Sequence, residues 1–480
     1  MNGGNNVKYS SLAALAAAGL LLSVGGVSAA DLGGDCCADL EERVAELEAT
    51  TARKGNRKVS LTITGWVSEG ILWFDDGTES NVYVAHDSTD LASNVSFTGT
   101  ANINSDVEAG YQINIFFDHA NALFVNQDND NSNFGVNLQR AFWWLKSNTL
   151  GKVSIGMQSA AADNATILTD FTGTLFQHNT VTFEAGSMGL TPNGGTRSRT
   201  DGGTGFLIGD GARGIPNGTL GALLVCNTYR QGIANDCLGD RTNSVRYDTP
   251  TFAGFSASAS WGEDDRYEGT VRYAGEGGGF KYAFATSYGE VNGDNDALGN
   301  RTDFLGNPID AGYWQIGGTI KHLASALWFH GHYGQQETDN AVISPGDGDA
   351  YYLKAGWSPK LNSLGTTHFV GEFRQNLDTF GASYQQGSGD LCGAFGGSGG
   401  NIGVACGAAA LASDVDAVGS EVTGWGLGLV QEIDAASMNL WIKYRHYDSE
   451  IDYVDRATGA SGTQEFQEID MIFAGAHIFF

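Results

Sequence analysis

Proline and long apolar runs are both scarce in this chain. Only 6 of its 480 residues are proline. Beyond position 30 there is no uninterrupted apolar stretch of about 18 residues, which is the length that a helix needs to cross a bilayer. A helical membrane span is therefore excluded after residue 30. Because proline cannot donate a hydrogen bond to a β-ladder, its scarcity favours long strands.

Charge is low overall, and basic residues are few. Charged residues make up 17% of the chain, below the roughly 25% of an ordinary soluble domain. There are 26 Lys and Arg against 55 Asp and Glu, which gives a formal net charge of −29. This balance argues against nucleic-acid binding, which needs a basic surface. The sequence also has no zinc-protease histidine pair. We therefore expect no enzyme, no metal site and no cofactor.

Glycine and aromatic residues are abundant, and they fall in segments of alternating character. Phe280, Tyr282, Phe284 and Tyr288 alternate with smaller or more polar residues, which is the period of two that β-strands show. About sixteen such segments follow Lys58. They are predicted as strands at 59–74, 94–104, 107–118, 138–148, 151–159, 241–249, 254–263, 267–274, 279–290, 311–322, 325–335, 350–358, 366–377, 421–433, 436–448 and 466–480.

Alternation alone fits a soluble β-sandwich as well as a membrane barrel, so loop lengths decide between them. The connections after even-numbered segments are short, for example Ser105-Asp106 and Asp434-Ala435, whereas most of those after odd-numbered segments are long. A membrane barrel has short turns on one side and long loops on the other. The sequence thus predicts an all-β fold, a transmembrane antiparallel β-barrel of about 16 strands spanning residues 59–480.

Two N-terminal regions precede the predicted barrel. Ser11–Val27 is an apolar core followed by Ser28-Ala29-Ala30, so residues 1–30 are predicted to be a signal peptide. Within residues 31–58, Leu40, Val44, Leu47 and Thr51 form a heptad stripe. This periplasmic segment is predicted to carry a short helix, which either joins subunits in a coiled coil or lies singly on the barrel mouth.

The connection at about 160–240 is by far the longest. We interpret it as a constriction loop folded into the barrel, because a sixteen-stranded barrel would otherwise leave a wide aqueous channel. The alternative is that it hides two strands, at about 203–208 and 220–230, in an eighteen-stranded barrel.

Six cysteines occur in a chain that is predicted to be exported. Local disulfides are plausible in that oxidising setting, or the thiols are free. The candidate pairs are Cys226 with Cys237 and Cys392 with Cys406, since the members of each pair are close in sequence. The adjacent Cys36 and Cys37 either link subunits or stay reduced.

Three stretches together resemble the alphaproteobacterial outer-membrane porin family. They are the N-terminal region from Ala30 through Leu61–Val84, the segment Gly151–Ala161 (GKVSIGMQSAA) and the terminal Ala474–Phe480 (AGAHIFF). The resemblance implies a homotrimeric outer-membrane channel for passive diffusion of small hydrophilic solutes and ions, in contact with membrane lipid and lipopolysaccharide. A solute-selective channel, for example for sugars, and a barrel used as a surface-binding scaffold remain alternatives.

Passage through such a channel depends on the charged side chains that line it. The alternation within each strand, or strand parity, places six basic residues on the polar face of the wall. This inward placement is favoured because a charged side chain facing lipid would be costly. The six are Arg140, Lys146, Arg246, Arg272, Arg374 and Arg445. The acidic candidates of the long loop are Asp163, Asp170 and Glu184. For each, a wall or loop charge away from the narrowest point is the alternative. From the acidic net charge we expect a mild preference for cations.

Overall fold

The computed structural model describes residues 58–87, 91–123, 125–128, 135–178, 184–193, 206–208, 213–215, 219–224, 241–262, 266–291, 310–339, 347–379, 415–455 and 459–480. The predicted signal peptide and the predicted N-terminal helix lie outside these ranges. No helix within them is long and apolar enough to cross a membrane.

The cysteines all lie outside the described ranges as well. They are Cys36, Cys37, Cys226, Cys237, Cys392 and Cys406. The two disulfides, one joining Cys226 to Cys237 and one joining Cys392 to Cys406, therefore stay predictions from the sequence.

The described residues form one large antiparallel sheet that closes on itself, because β1 pairs with β20. The strands are β1 (Thr62–Asp75), β2 (Ser80–Ala85), β3 (Asn94–Asn102), β4 (Val107–Asp118), β5 (Gly135–Ser147), β6 (Gly151–Ser159), β7 (Phe206–Ile208), β8 (Arg213–Ile215), β9 (Arg241–Asp248), β10 (Phe255–Gly262), β11 (Tyr267–Gly277), β12 (Phe280–Val291), β13 (Asp310–His322), β14 (Leu327–Asp339), β15 (Gly348–Trp357), β16 (Thr367–Leu377), β17 (Val415–Ile433), β18 (Met438–Asp455), β19 (Ser461–Glu465) and β20 (Ile469–Phe479).

The predicted sixteen-stranded barrel is confirmed. Strands β2 and β3 pair with the two halves of β1 and share one position in the wall. Likewise β19 and β20 pair with successive parts of β18. The short β7 and β8 pair only with each other, outside the barrel sheet. A short helix, α1 (Leu220–Leu224), follows them.

The alternative of eighteen strands is wrong, because β6 pairs directly with β9. Ser154 lies opposite Arg246 and Gly156 opposite Ser244, so the wall has no place for strands from the intervening residues 160–240. The sequence also missed β2 and β19. Both are short pieces of strands that are interrupted, so their alternation is brief.

The two faces of the wall differ as the alternation predicted. On β12, Phe284 and Tyr288 are exposed while Ala283 and Ala285 are buried. The same pattern recurs around the barrel, so the exposed face is apolar and the buried face points inward. Seven short connections join strands at one end of the barrel, including the turn at Gly278 and Gly279, whose positive φ values of 61° and 83° suit a tight hairpin.

The buried interior is part apolar and part polar. Side chains of β1, β15, β17, β18 and β20 pack with α1 in one apolar cluster, which includes Phe74, Tyr352, Tyr447, Leu220 and Leu223. Buried polar residues, among them Lys354, Glu372 and Lys443, project from the same inner faces. The inner face of this half of the wall is therefore covered by chain rather than open to solvent.

Candidate functional site

The chain that leaves β6 runs along the inner faces of other strands. We call residues 160–178 and 184–193 the inner segment. Its first residues attach to β10 and β11: the Ala161 N–H donates to Ser260 Oγ at 2.8 Å and the Ala162 N–H to Glu268 Oε2 at 2.8 Å. Thr270 Oγ1 donates to the Ala161 carbonyl at 2.7 Å. Strand residues far away in sequence thus satisfy the backbone of the inner segment.

The next attachment is to β13 and β14. The Thr166 hydroxyl donates to Gln315 Oε1 at 2.6 Å and lies 3.2 Å from His332 Nδ1. Gln315 Nε2 donates to the Ala162 carbonyl at 3.3 Å. All three side chains are buried, so these bonds are shielded from water. A buried polar group left without a hydrogen bond would be costly.

A buried ion pair follows on β15. Lys354 Nζ lies 2.5 Å from Asp170 Oδ2, and the two side chains are 0% and 1% exposed. Lys354 also donates to Thr174 Oγ1 at 3.1 Å and to the His178 carbonyl. Asp170 was among the predicted loop acids, but Lys354 was not predicted. Its inward direction was readable from the alternation of Tyr352, Lys354 and Gly356 with Leu353 and Ala355.

His178 brings the inner segment to β16. Its Nδ1 lies 3.1 Å from Glu372 Oε1, and Glu372 also accepts from Tyr352 Oη at 2.8 Å and Arg445 Nε at 3.0 Å. The His178 ring lies against Gly428 of β17, where an added Cβ would overlap the ring. The close approach therefore requires glycine at position 428.

The last ion pairs are made with β18. Glu184 forms ion pairs with both Lys443 Nζ and Arg445. Lys443 also lies 3.0 Å from Asp87 Oδ1. The structure thus brings together Glu184 and Arg445, which the sequence nominated separately. Lys443 shares the inward parity of Arg445 on the same strand, whereas no sequence pattern pointed to Asp87.

Two of the other nominated arginines lie beside the start of the inner segment and are partly exposed. Arg246 bonds Asp248 Oδ1 at 2.7 Å and donates to the carbonyls of Ser159 and Ala160. Arg272 donates to Ser258 Oγ at 3.1 Å and to the Ala161 carbonyl at 3.3 Å.

The remaining nominated residues fall in three places. Arg140 and Lys146 are partly exposed on β5, and Lys146 pairs in register with Glu108. Asp163 is buried, 3.9 Å from Arg241. Arg374 is buried on β16, where its Nε donates to Asn376 Oδ1. Of the six basic wall residues, only Arg445 meets an acid of the inner segment within the described ranges.

The far end of the inner segment is tied to the turn after β1. Gln127 Nε2 donates to Asp76 Oδ2 at 2.8 Å and to the Gly189 carbonyl at 2.9 Å. Burial of the Asp76 carboxyl raises its pKa. The N–H groups of Glu79 and Thr78 and the amide of Gln127 outweigh that effect, so the pKa lies below its ordinary value. The carboxylate form of Asp76 thus helps to hold this turn and Gln127.

Comparison with known proteins identifies a matching family and similar solved structures. The pattern of the family described as Gram-negative porin matches residues 11–367. No curated protein sequence matches the chain significantly. Among solved structures, the anion-selective porin from Comamonas acidovorans superposes with a TM-score of 0.51 at 14% identity, over 88% of this chain and 100% of that one. OmpT of Vibrio cholerae superposes with a TM-score of 0.47 at 10% identity, over 89% and 99%.

Proposed function

This chain belongs to the Gram-negative porin family and forms a diffusion channel in the outer membrane, and we propose that the inner segment is its constriction loop. The supporting observation is the buried ion-pair network that holds this segment against β15, β16 and β18. Asp170 and Glu184 meet Lys354, Lys443 and Arg445 there. A segment anchored in this way fills one side of the barrel and leaves solutes the other side.

The open side is then bounded by β5, β6 and β9 to β11. Their partly exposed arginines lie at the level where the inner segment begins, since Arg246 and Arg272 both bond its first carbonyls. Arg140 lies at a similar level, because the next residue, Ala141, pairs with Met157 near the end of β6. We infer that solutes pass these three guanidinium groups at the narrowest part of the channel.

This arrangement favours anions at the constriction, whereas the net charge of the whole chain led us to expect a mild preference for cations. The inner segment has three acids that could attract cations, and all three are buried in ion pairs: Asp163, Asp170 and Glu184. Charges that line a passage act at shorter range than the charge of the whole chain, which salt screens beyond about 10 Å. We therefore propose a weak anion preference.

The transported class is small hydrophilic solutes and ions, and transport is passive. We further propose a homotrimer in contact with lipid and lipopolysaccharide, and membership of the alphaproteobacterial branch. The branch rests on the resemblance of the N-terminal region, and the trimer on that resemblance and the heptad stripe. Solute selectivity, for example for sugars, would need a path of binding groups along the pore.

Planar-bilayer conductance of the full-length protein under a KCl gradient tests the proposal. We expect stable open steps and a reversal potential whose sign reports excess chloride permeability. Silent bilayers from protein shown to be folded would overturn the channel. A reversal potential of the opposite sign would overturn the anion preference alone. It would agree instead with the cation preference expected from the net charge. Chemical cross-linking of the detergent-extracted protein tests the trimer separately.

A further inference from the structure

Among the described residues, one buried cation of the inner wall differs from the others in its partners. The buried lysine and arginine side chains there are Arg266, Lys354, Arg374, Lys443 and Arg445. Four of them form ion pairs with Glu268, Asp170, Asp87, Glu184 or Glu372. Within the described ranges, Arg374 forms none. Neither of its Nη groups has a hydrogen-bond partner there.

This exception calls for a physical explanation, because a buried charge is strongly unfavourable unless it is paired. Arginine remains protonated in proteins, so Arg374 cannot avoid the cost by losing its proton. The side chain is 1% exposed, and therefore bulk water does not solvate it either. The other four buried cations show how this wall ordinarily meets the requirement.

The surroundings of Arg374 hold the guanidinium in place. Its Nε donates to Asn376 Oδ1. Asn376 Nδ2 donates to Thr379 Oγ1 at 3.0 Å, and Thr379 donates to the Leu223 carbonyl of α1 at 2.8 Å. This chain of bonds uses the Nε–H and leaves the two Nη groups as a pair of donors with a fixed direction.

Tyrosines occupy positions near Arg374 in the strand register. Arg374 lies in register between Tyr352 and Gly424, and Gly424 lies opposite Tyr447. Tyr313, Tyr352 and Tyr447 are all buried as well. A neutral tyrosine hydroxyl does not cancel a charge, and that of Tyr352 already donates to Glu372 Oε2 at 2.8 Å.

We propose that Arg374 binds a small inorganic anion of halide size, chloride under ordinary conditions. The two Nη groups would donate to it among the tyrosine rings. A guanidinium fork also suits carboxylate and phosphate, but the near-complete burial of Arg374 favours the smallest of these ligands. The site stands apart from the ion pairs that anchor the inner segment, because Asp170 and Glu184 pair with Lys354, Lys443 and Arg445.

Bromide, which scatters anomalously, can report the site directly. Crystals of the full-length protein grown in NaBr should show an anomalous peak at hydrogen-bond distance from the Nη atoms of Arg374. The same peak should be missing from Arg374→Gln. A wild-type crystal without the peak, or a peak that persists in Arg374→Gln, would overturn the proposal.

Unfolding in solution gives a second readout. Chloride is exchanged for gluconate at constant ionic strength, and unfolding of the detergent-solubilised protein is followed by its heat-modifiable mobility on gels. Above the dissociation constant, a tenfold rise in chloride should lower the unfolding equilibrium constant about tenfold in the wild type.

Two variants serve as controls for that readout. Arg266→Gln removes a buried cation that already has Glu268 beside it, so its chloride response should equal that of the wild type. Arg374→Lys, which keeps the charge without the fork, should respond more weakly and replaces Arg374→Gln if the latter does not assemble. Equal chloride responses in all variants would contradict the proposal.

Discussion

Two parts of the inner wall carry similar charged side chains but differ in how deeply these are buried and in their partners. On β15 and β18 the basic side chains are buried and meet the inner segment in ion pairs, as Lys354 and Arg445 do. On β5, β9 and β11 the arginines stay partly exposed, and Arg246 and Arg272 bond mainly nearby wall groups and backbone carbonyls. The comparison supports our proposal that the buried charges hold the inner segment in place and that solutes meet the partly exposed ones.

The largest effect should come from removing one acid from the buried group. In Glu184→Gln, Lys443 and Arg445 lose a shared carboxylate, and breaking a buried ion pair costs about 3–5 kcal/mol. We expect a lower unfolding midpoint in urea and larger, noisier conductance steps, because the inner segment loosens. The matched control is Asp248→Asn, which removes an acid from the partly exposed part of the wall.

If Glu184→Gln and Asp248→Asn lower the unfolding midpoint equally, burial does not separate the two parts of the wall. A double variant that also replaces Lys443 with Met should recover part of the loss, because it removes one of the cations left without Glu184.

A smaller effect is expected where the inner segment touches β17. Gly428→Ala places a methyl group where the His178 ring lies, and overpacking of this kind costs about 1–3 kcal/mol. Gly371→Ala on the neighbouring strand is the control, since its new Cβ would meet only Leu427 Cδ2, at an ordinary 3.7 Å. Urea unfolding compares the two. Equal stabilities would show that His178 can move aside freely.

The exposed arginines should change selectivity far more than stability. Replacing Arg246 and Arg272 together with Gln is expected to cost no more than about 1 kcal/mol for each partly exposed interaction. It should move the reversal potential in a KCl gradient toward cations. An unmoved reversal potential would place the selective charges elsewhere.

The smallest effect concerns acid stability at the far end of the inner segment. The pKa of Asp76 is lowered in the folded protein, so its stabilising contribution is present above the unfolded value of about 4. That contribution is lost as the pH falls through the folded value. Asp76→Asn should therefore be less stable than the wild type near pH 7, and the difference should shrink below pH 4. Urea titrations at both pH values check this, and a gap of constant size would remove Asp76 as the cause.

The wall of this barrel was largely predictable from the sequence, because a strand's alternation is a local property. Segments such as 107–118 and 151–159 coincide with β4 and β6. The short strands β2 and β19 were missed since neither offers more than six residues of pattern. Parity also placed Arg374 and Arg445 on the inner face, where both are found.

The pairing of charges was decided by the tertiary structure alone. Asp170 and Lys354 are separated by 184 residues, and no spacing in the sequence links them. Arg374 and Arg445 have the same parity and similar burial, yet one meets two carboxylates and the other meets none within the described residues. The sequence by itself determined which residues form the wall and which face they occupy. The course of the inner segment across that wall decided which charges are buried, because ion pairs need atoms within about 4 Å and strand periodicity does not define such distances between remote segments.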